Sequence, residues 1–171
     1  MQYFIKTKLV KFFTDTLYVK DEANADKFLI KERFSIPAKW DFFDITGTQL
    51  MRIKKRMFRF FGRYDVVNTD KKLLAVIKRK FNPFVPKYKI TNMLEEKADY
   101  QISGDIIGWS FKITKDGQPI CEIRKQIIAL TNNYHVNVLD ENETLLCFAC
   151  VIALSKEHHK NDNKKKNNFR I

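Results

Sequence analysis

The chain has 171 residues, of which 44% are hydrophobic and 13% aromatic. This composition indicates a globular protein with one sizeable core, and nothing in it indicates a second domain. The formal net charge of +12 makes nucleic acid or an anionic membrane surface the natural partner, although a compositional bias towards lysine, asparagine and isoleucine would give the same balance.

The N-terminal residues and the cysteines indicate where the protein resides. Lysines interrupt residues 1–8 too often to leave room for the apolar segment of a secretory signal. The three cysteines are odd in number and have apolar neighbours. Both features predict a cytoplasmic protein.

A repeat of 23 or 24 residues runs along most of the chain. Each repeat opens on a bulky residue, has a second apolar residue two positions later, and then usually reaches an Asp or Asn turn signal. After the turn comes a second run in which apolar and polar residues alternate, which is typical of a half-buried β-strand. Asp116-Gly117 is a strong two-residue hairpin turn. The pattern predicts antiparallel hairpins, and the bulky opening residues are Leu17, Trp40, Tyr64, Tyr88, Phe111 and Tyr134.

The hairpins add up to twelve strands when residues 3–8 and 134–138 are counted as the first and the last. A meander of so many strands would expose its edges to aggregation, and closure into a barrel removes the edges. A twelve-stranded barrel is too wide to be filled by its own side chains, because about eight strands is the size at which they suffice. Something else must therefore fill it.

Residues 145–154 supply the filling, since they are ten apolar residues without a break. Asp140 and Glu143 precede them with the spacing of a capping box, so we expect a helix over about residues 141–155. The helix is apolar on every face and shorter than the roughly 17 to 25 residues that cross a bilayer, so it is predicted to be buried inside the barrel. Residues 1–155 then form a single domain, and residues 156–171 are predicted to be a disordered basic tail.

Two connectors between the predicted hairpins are aromatic where polar loops are expected. They are Met57-Phe-Arg-Phe-Phe and Phe81-Asn-Pro-Phe-Val-Pro. The favoured interpretation is that they fold over the barrel mouth as lids. The alternative is that they contact a membrane interface, with Phe58, Phe60 and Phe61 as the contacts and Arg59 beside them.

Repeated strand pairs with Asp/Asn-rich turns, basic second arms and the terminal Leu-Leu-Cys-Phe-Ala-Cys-Val-Ile-Ala-Leu helix together resemble the LURP-one-related family, in particular its bacterial YxjI-like branch. The resemblance covers about residues 1–155. The family is similar in fold to the Tubby C-terminal domain and to phospholipid scramblases, which implies a mainly β protein: a closed twelve-stranded antiparallel barrel around a C-terminal helix. Tubby domains further imply phosphoinositide binding through barrel lysines and arginines, with no residue-by-residue match here. The turns at residues 21–26 and 92–97 lack the glycine usual in such repeats, which leaves the register of these hairpins open.

No pattern of a known catalytic site occurs in the chain, whether nucleophile elbow, P-loop, zincin or dinucleotide fingerprint. Cys147 and Cys150 form a C-x-x-C that suggests a redox or zinc site. They lie within the apolar helix, where a reactive thiolate would lack its electropositive setting, so buried small hydrophobic residues are the favoured interpretation. No scramblase-like acidic calcium segment is present either. We therefore expect a protein that is not an enzyme and that holds no cofactor or metal.

Basic residues recur in phase with the repeat. They alternate with inward apolar residues on the second arm of three consecutive hairpins, so they should face outward and form a cationic strip near one rim. Arg124 is a fourth candidate, whereas the fourth repeat has Ser103 and Asp105 instead. The candidates for anion or lipid binding on these three arms are Lys31, Arg33, Lys54, Arg56, Lys78 and Lys80.

The leading functional hypothesis is a non-enzymatic binding protein that engages anionic lipid headgroups or a membrane surface as a peripheral cytoplasmic protein. A nucleic-acid-binding regulatory protein is the first alternative, and it predicts a steep dependence of binding on salt. A protein-interaction scaffold without a small ligand is the second. No transmembrane segment is predicted.

Overall fold

Alternating apolar and polar runs form the predicted strands in the computed structural model, which describes residues 1–8, 16–57, 62–82, 84, 86–95, 97–128 and 131–168. The strands are β1 (Gln2–Lys8), β2 (Thr16–Asp21), β3 (Asp26–Arg33), β4 (Lys39–Asp44), β5 (Gln49–Lys55), β6 (Arg63–Val67), β7 (Leu73–Lys80), β8 (Lys87–Asn92), β9 (Tyr100–Asp105), β10 (Ser110–Lys115), β11 (Gln118–Ile128) and β12 (Thr131–Val138). A 3₁₀ turn (Glu141–Glu143) and the helix α1 (Thr144–Asn168) follow them.

Each strand pairs antiparallel with the next one along the chain, and β1 also pairs with β12, which closes the barrel. The closing ladder runs from Gln2, opposite Asn137, to Lys8, opposite Thr131. Asp116 and Gly117 both have positive φ, as the predicted two-residue turn between β10 and β11 requires. The closed twelve-stranded antiparallel barrel predicted from the sequence is confirmed.

The inner face of the barrel packs around the apolar part of α1. Residues 147–154 are buried, including Val151 and Ile152, as the sequence predicts. Five of the six bulky residues that open the repeats are buried around the helix, and Tyr88 is partly buried. The Phe148 ring lies edge-on to Tyr3, with ring centroids 5.2 Å apart. The helix therefore fills the part of the barrel interior that the strand side chains leave empty, as predicted.

The helix differs from the prediction at both ends. Asp140 caps the 3₁₀ turn by accepting a hydrogen bond from the Asn142 amide, but the Glu143 carboxylate turns into the barrel and binds Tyr100 and Lys115. At the other end α1 continues to Asn168, through residues that the sequence predicts to be disordered. No glycine or proline occurs after Thr144, so nothing in the backbone chemistry stops the helix where it leaves the core.

The two ends of the barrel have different characters. We call the end where α1 begins the turn rim, because the turns after β2, β4, β6, β8 and β10 lie there. The opposite end, where the segments after β3, β5, β7 and β9 connect the strands, is the connector rim. The predicted basic strip lies towards the connector rim.

Candidate functional site

The first three arms of the predicted strip are separated by strands that carry buried carboxylates. On β4, between β3 and β5, Asp41 is 0% exposed although its side chain points to the outer face. Arg33 Nε donates to Asp41 Oδ2 at 2.8 Å, and Arg52 Nη2 donates to the same oxygen at 2.9 Å. Burial raises the pKa of Asp41, but the hydrogen bonds from Arg52 and Arg33 outweigh it and hold the pKa of this carboxyl below its usual range.

The same arrangement recurs one hairpin later. Asp65 on β6 is buried, and Arg63 Nε donates to its Oδ1 at 2.9 Å while Arg56 Nε donates to Oδ2. Each aspartate is shared by two arginines, so the charges of Arg33 and Arg56 are only partly compensated by the carboxylate on the neighbouring strand. These two candidates contribute less to a cationic strip than the repeat alone suggests.

The remaining described residues of the predicted strip make other contacts. Lys31 lies over the Phe43 ring, with its Nζ 5.0 Å from the ring centroid. Within the described part of the chain, no carboxylate forms a salt bridge with Lys54, Lys78, Lys80 or Arg124. Arg124 lies on β11, four strands away from β7, and so is separate. The candidates Phe58, Arg59, Phe60 and Phe61 lie outside the described residues.

A denser basic patch lies on β7 and β8, and half of it was missed in the sequence. Lys78 is directly opposite Lys89 in the ladder, and Lys80 is directly opposite Lys87. All four side chains are exposed, and we call them the lysine quartet. Lys87 and Lys89 lie on β8, which is a first arm, whereas the repeat predicts basic residues on second arms. Their alternation in Lys-Tyr-Lys-Ile was the available signal.

Apolar side chains are exposed beside the quartet. Phe81 and Phe84, in the segment that joins β7 to β8, are 73% and 88% exposed. Rings this exposed are available for contact with a surface, so the lid and the membrane-contact interpretations both stay predictions for this segment. Other exposed apolar residues of the connector rim are Phe34, Ile36, Met57 and Ile107.

A cleft of about 720 Å³ opens next to the quartet, between β8 and β9. We call it the seam cleft, because in the described chain these two strands pair only through Ile90 and Tyr100. This is one of the two hairpins whose register the sequence left open. Its lining includes the basic residues Lys80, Lys87, Lys89 and Lys97 and the apolar residues Tyr88, Ile102 and Ile106.

Two carboxylates hold α1 in place, one at each rim. Glu143 accepts hydrogen bonds from the Tyr100 hydroxyl and from Lys115 Nζ, both at 2.8 Å. At the connector rim Glu157 accepts from the Tyr64 hydroxyl at 2.8 Å and from Lys55 Nζ at 3.0 Å. Burial, together with the nearby Glu157 carboxylate, strongly raises the pKa of Tyr64. These contacts join the helix to the barrel wall.

The C-x-x-C has the environment of a core feature. Cys147 and Cys150 are buried and unpaired, as is Cys121 on β11. The contact with Cys121 and burial raise the pKa of the Cys147 thiol, and burial raises that of Cys150. Among the described residues, no three His, Cys, Asp or Glu side chains are grouped so that they could hold a metal ion. None of the described helical residues form a segment with the length and hydropathy that a bilayer crossing needs.

A closed antiparallel barrel whose lumen is filled by its own C-terminal helix defines a protein of the Tubby C-terminal-like architecture. The model of the LURP-one-related family matches residues 1–155, and the chain belongs to this family. Over 156 residues it is 24% identical to the uncharacterised protein YxjI of Bacillus subtilis (strain 168), an alignment that covers 90% of this chain and 91% of that protein.

The barrel is also similar to the X-ray structure of a protein from Arabidopsis thaliana, with a TM-score of 0.57 and 14% identity. The match covers 88% of this chain and 91% of the plant protein, and at this identity it shows a common fold. The family predicted from the repeat and the apolar helix is confirmed.

Proposed function

We propose that this member of the LURP-one-related family is a non-enzymatic protein that binds the anionic lipid headgroups of a membrane surface through its connector rim. The observation that carries the proposal is the lysine quartet, which lies beside the exposed Phe81 and Phe84. Of the other residues in the predicted strip, Lys54 remains a candidate for headgroup binding. A peripheral position on the cytoplasmic side of a membrane fits this surface.

Charge in the quartet supports an anionic partner. Like charges directly opposite each other across two strands destabilise a sheet, so Lys78–Lys89 and Lys80–Lys87 are unfavourable pairs in the isolated protein. An anion bound between them removes that repulsion. Each basic residue gains about 1 kcal/mol near an anionic membrane surface, so the quartet supplies about 4 kcal/mol.

The exposed aromatic rings add a second contribution to the free energy of membrane binding, which is absent when the ligand is a soluble anion. Full burial of a phenylalanine side chain is worth about 1.5–3 kcal/mol, and partial insertion of Phe84 at a lipid interface gains part of this. Basic and apolar side chains on the same rim therefore match a surface whose headgroups are anionic and whose interior is apolar.

Vesicle co-sedimentation tests the proposal. The intact chain is expected to pellet with phosphatidylcholine vesicles that contain phosphatidylserine, and to stay in solution with phosphatidylcholine alone. Lys78→Glu with Lys89→Glu should abolish most of the binding. The matched control is Lys71→Glu with Lys72→Glu, which makes the same charge change in the turn after β6, on the turn rim.

Three outcomes would contradict the proposal. Equal binding to neutral vesicles would show that the quartet does not act as a headgroup site. An equal loss in both double variants would show that net charge alone attracts the membrane. Tight binding to duplex DNA at the same salt concentration, with a steep salt dependence, would favour nucleic acid as the partner instead.

A further inference from the structure

The ladder between β8 and β9 is the weak point in the wall of the barrel. Among the described residues, each of the other eleven pairs of neighbouring strands is joined by four to eight pairs of opposite residues. β8 and β9 share one partner pair, Ile90 and Tyr100. Towards the connector rim, Lys87–Lys89 and residues 101–105 therefore present strand edges that are not joined to each other.

The two ends of this seam have different surroundings. At the closed end the Tyr100 hydroxyl donates to Glu143 and accepts a hydrogen bond from Asn92 Nδ2 at 3.1 Å. At the open end Gly104 has a φ of +111°, and a Cβ there would lie 2.7 Å from the Ser110 carbonyl oxygen on β10. Gly104 thus lets β9 pack unusually close to β10, on the side away from β8.

An open strand edge offers backbone donors and acceptors to another extended chain, which is the basis of β-strand addition. The side chains that line the seam cleft decide which chain fits. Lys80, Lys87, Lys89 and Lys97 give the cleft a basic border, and among the described residues Asp99 is the one acidic residue of its lining. A second copy of this chain, with its net charge of +12, would be repelled.

The geometry points to an acidic peptide segment in extended conformation as the occupant of the seam cleft, where it would add a strand to β8. Because side chains of a strand alternate between faces, one face of the peptide would meet Tyr88 and Ile102 and the other would meet Lys87 and Lys89. The favoured sequence therefore alternates small apolar and acidic residues. This site goes beyond the membrane contact proposed above, since it uses the backbone of β8 as well as charge.

The probe is a capped peptide of about six residues, the usual length of a strand, that alternates glutamate and valine. Isothermal titration calorimetry on the full chain should show saturable binding, and amide NMR spectra should show the largest shifts in β8 and β9. A peptide of the same sequence with an N-methyl group on every residue keeps the charge but has no backbone N–H donor on either edge, so it should not bind. Lys89→Glu with Lys97→Glu should weaken binding by about tenfold.

Controls separate this site from the membrane contact. The Lys71→Glu and Lys72→Glu control should leave peptide affinity unchanged, and Phe84→Ser should lower vesicle binding but not peptide binding. Equal affinity for the N-methylated peptide, or shifts centred on strands other than β8 and β9, would overturn the proposal. So would an absence of binding by the glutamate–valine peptide when the NMR spectrum shows the folded barrel.

Discussion

Gly62 is expected to be essential for the carboxylate that holds α1 at the connector rim. An alanine Cβ at this position would lie 2.5 Å from the Glu157 Oε1 atom, far inside van der Waals contact. Gly62 does not have a positive φ, so alanine meets no backbone strain there. The effect of Gly62→Ala therefore comes from displacing the Glu157 side chain.

The structure gives the size of the effect. Displacing the Glu157 carboxylate breaks hydrogen bonds from Tyr64 at 2.8 Å and from Lys55 at 3.0 Å, and leaves a buried charge with poorer partners. A hydrogen bond to a charged group contributes about 1.5–3 kcal/mol, so the loss should be about 3 kcal/mol. For a chain of this size that lowers the melting temperature by about 6–12 °C.

A double-mutant cycle measured by urea unfolding tests this reasoning. Glu157→Ala alone should also destabilise the protein, because the buried Tyr64 hydroxyl loses its acceptor. Added to Glu157→Ala, the substitution Gly62→Ala should change the free energy of unfolding by less than about 0.5 kcal/mol, since the clashing group is gone. If Gly62→Ala costs the same with and without Glu157, the backbone and not the carboxylate is responsible, and the reasoning is refuted.

Two further predictions concern buried titratable groups. The pKa of Asp41 is held below its usual range by its arginine partners, so its contribution to stability is complete at neutral pH and is lost as the pH falls through the lowered pKa. Asp41→Asn should therefore lower the free energy of unfolding at neutral pH and make it less dependent on pH below about 4; an unchanged acid limb in a pH series of urea titrations would contradict this. Cys121, Cys147 and Cys150 are buried, so a thiol-reactive disulfide reagent should modify them only after unfolding; fast modification of the native protein would show that α1 leaves the barrel.

The architecture could be predicted from the sequence because the buried residues recur with the period of the repeat. Bulky residues such as Trp40 and Tyr64 stand at the same point of each repeat because each must face the helix, so the repeat reports the inner wall directly. A helix that is apolar on every face, such as residues 145–154, is expected to be buried inside the protein. These signals are local in sequence, and the closed barrel follows from them.

The outer face was harder to predict, because charge there depends on neighbours across strands. Arg33 and Arg56 match the repeat well, yet each is partly compensated by an aspartate on the next strand, a contact set by register rather than by sequence spacing. The partners Lys87 and Lys89 lie on a first arm, and only the ladder between β7 and β8 places them opposite Lys78 and Lys80. The single link between β8 and β9 could be suspected from a turn without glycine, but not the cleft that it leaves.

The anchored helix limits the places where this protein can bind a ligand. Many barrels bind ligands in their lumen, but residues 147–154 fill this lumen. At each rim a glutamate of the helical segment, Glu143 or Glu157, accepts hydrogen bonds from a tyrosine and a lysine of the barrel wall. Binding inside would require breaking both sets of charged hydrogen bonds and exposing an apolar helix, at a cost of many kcal/mol. We therefore expect a ligand to bind on the outside. On the described surface, exposed phenylalanines and uncompensated lysines coincide at the connector rim around β7 and β8, and that is where loss of function by surface substitution should concentrate.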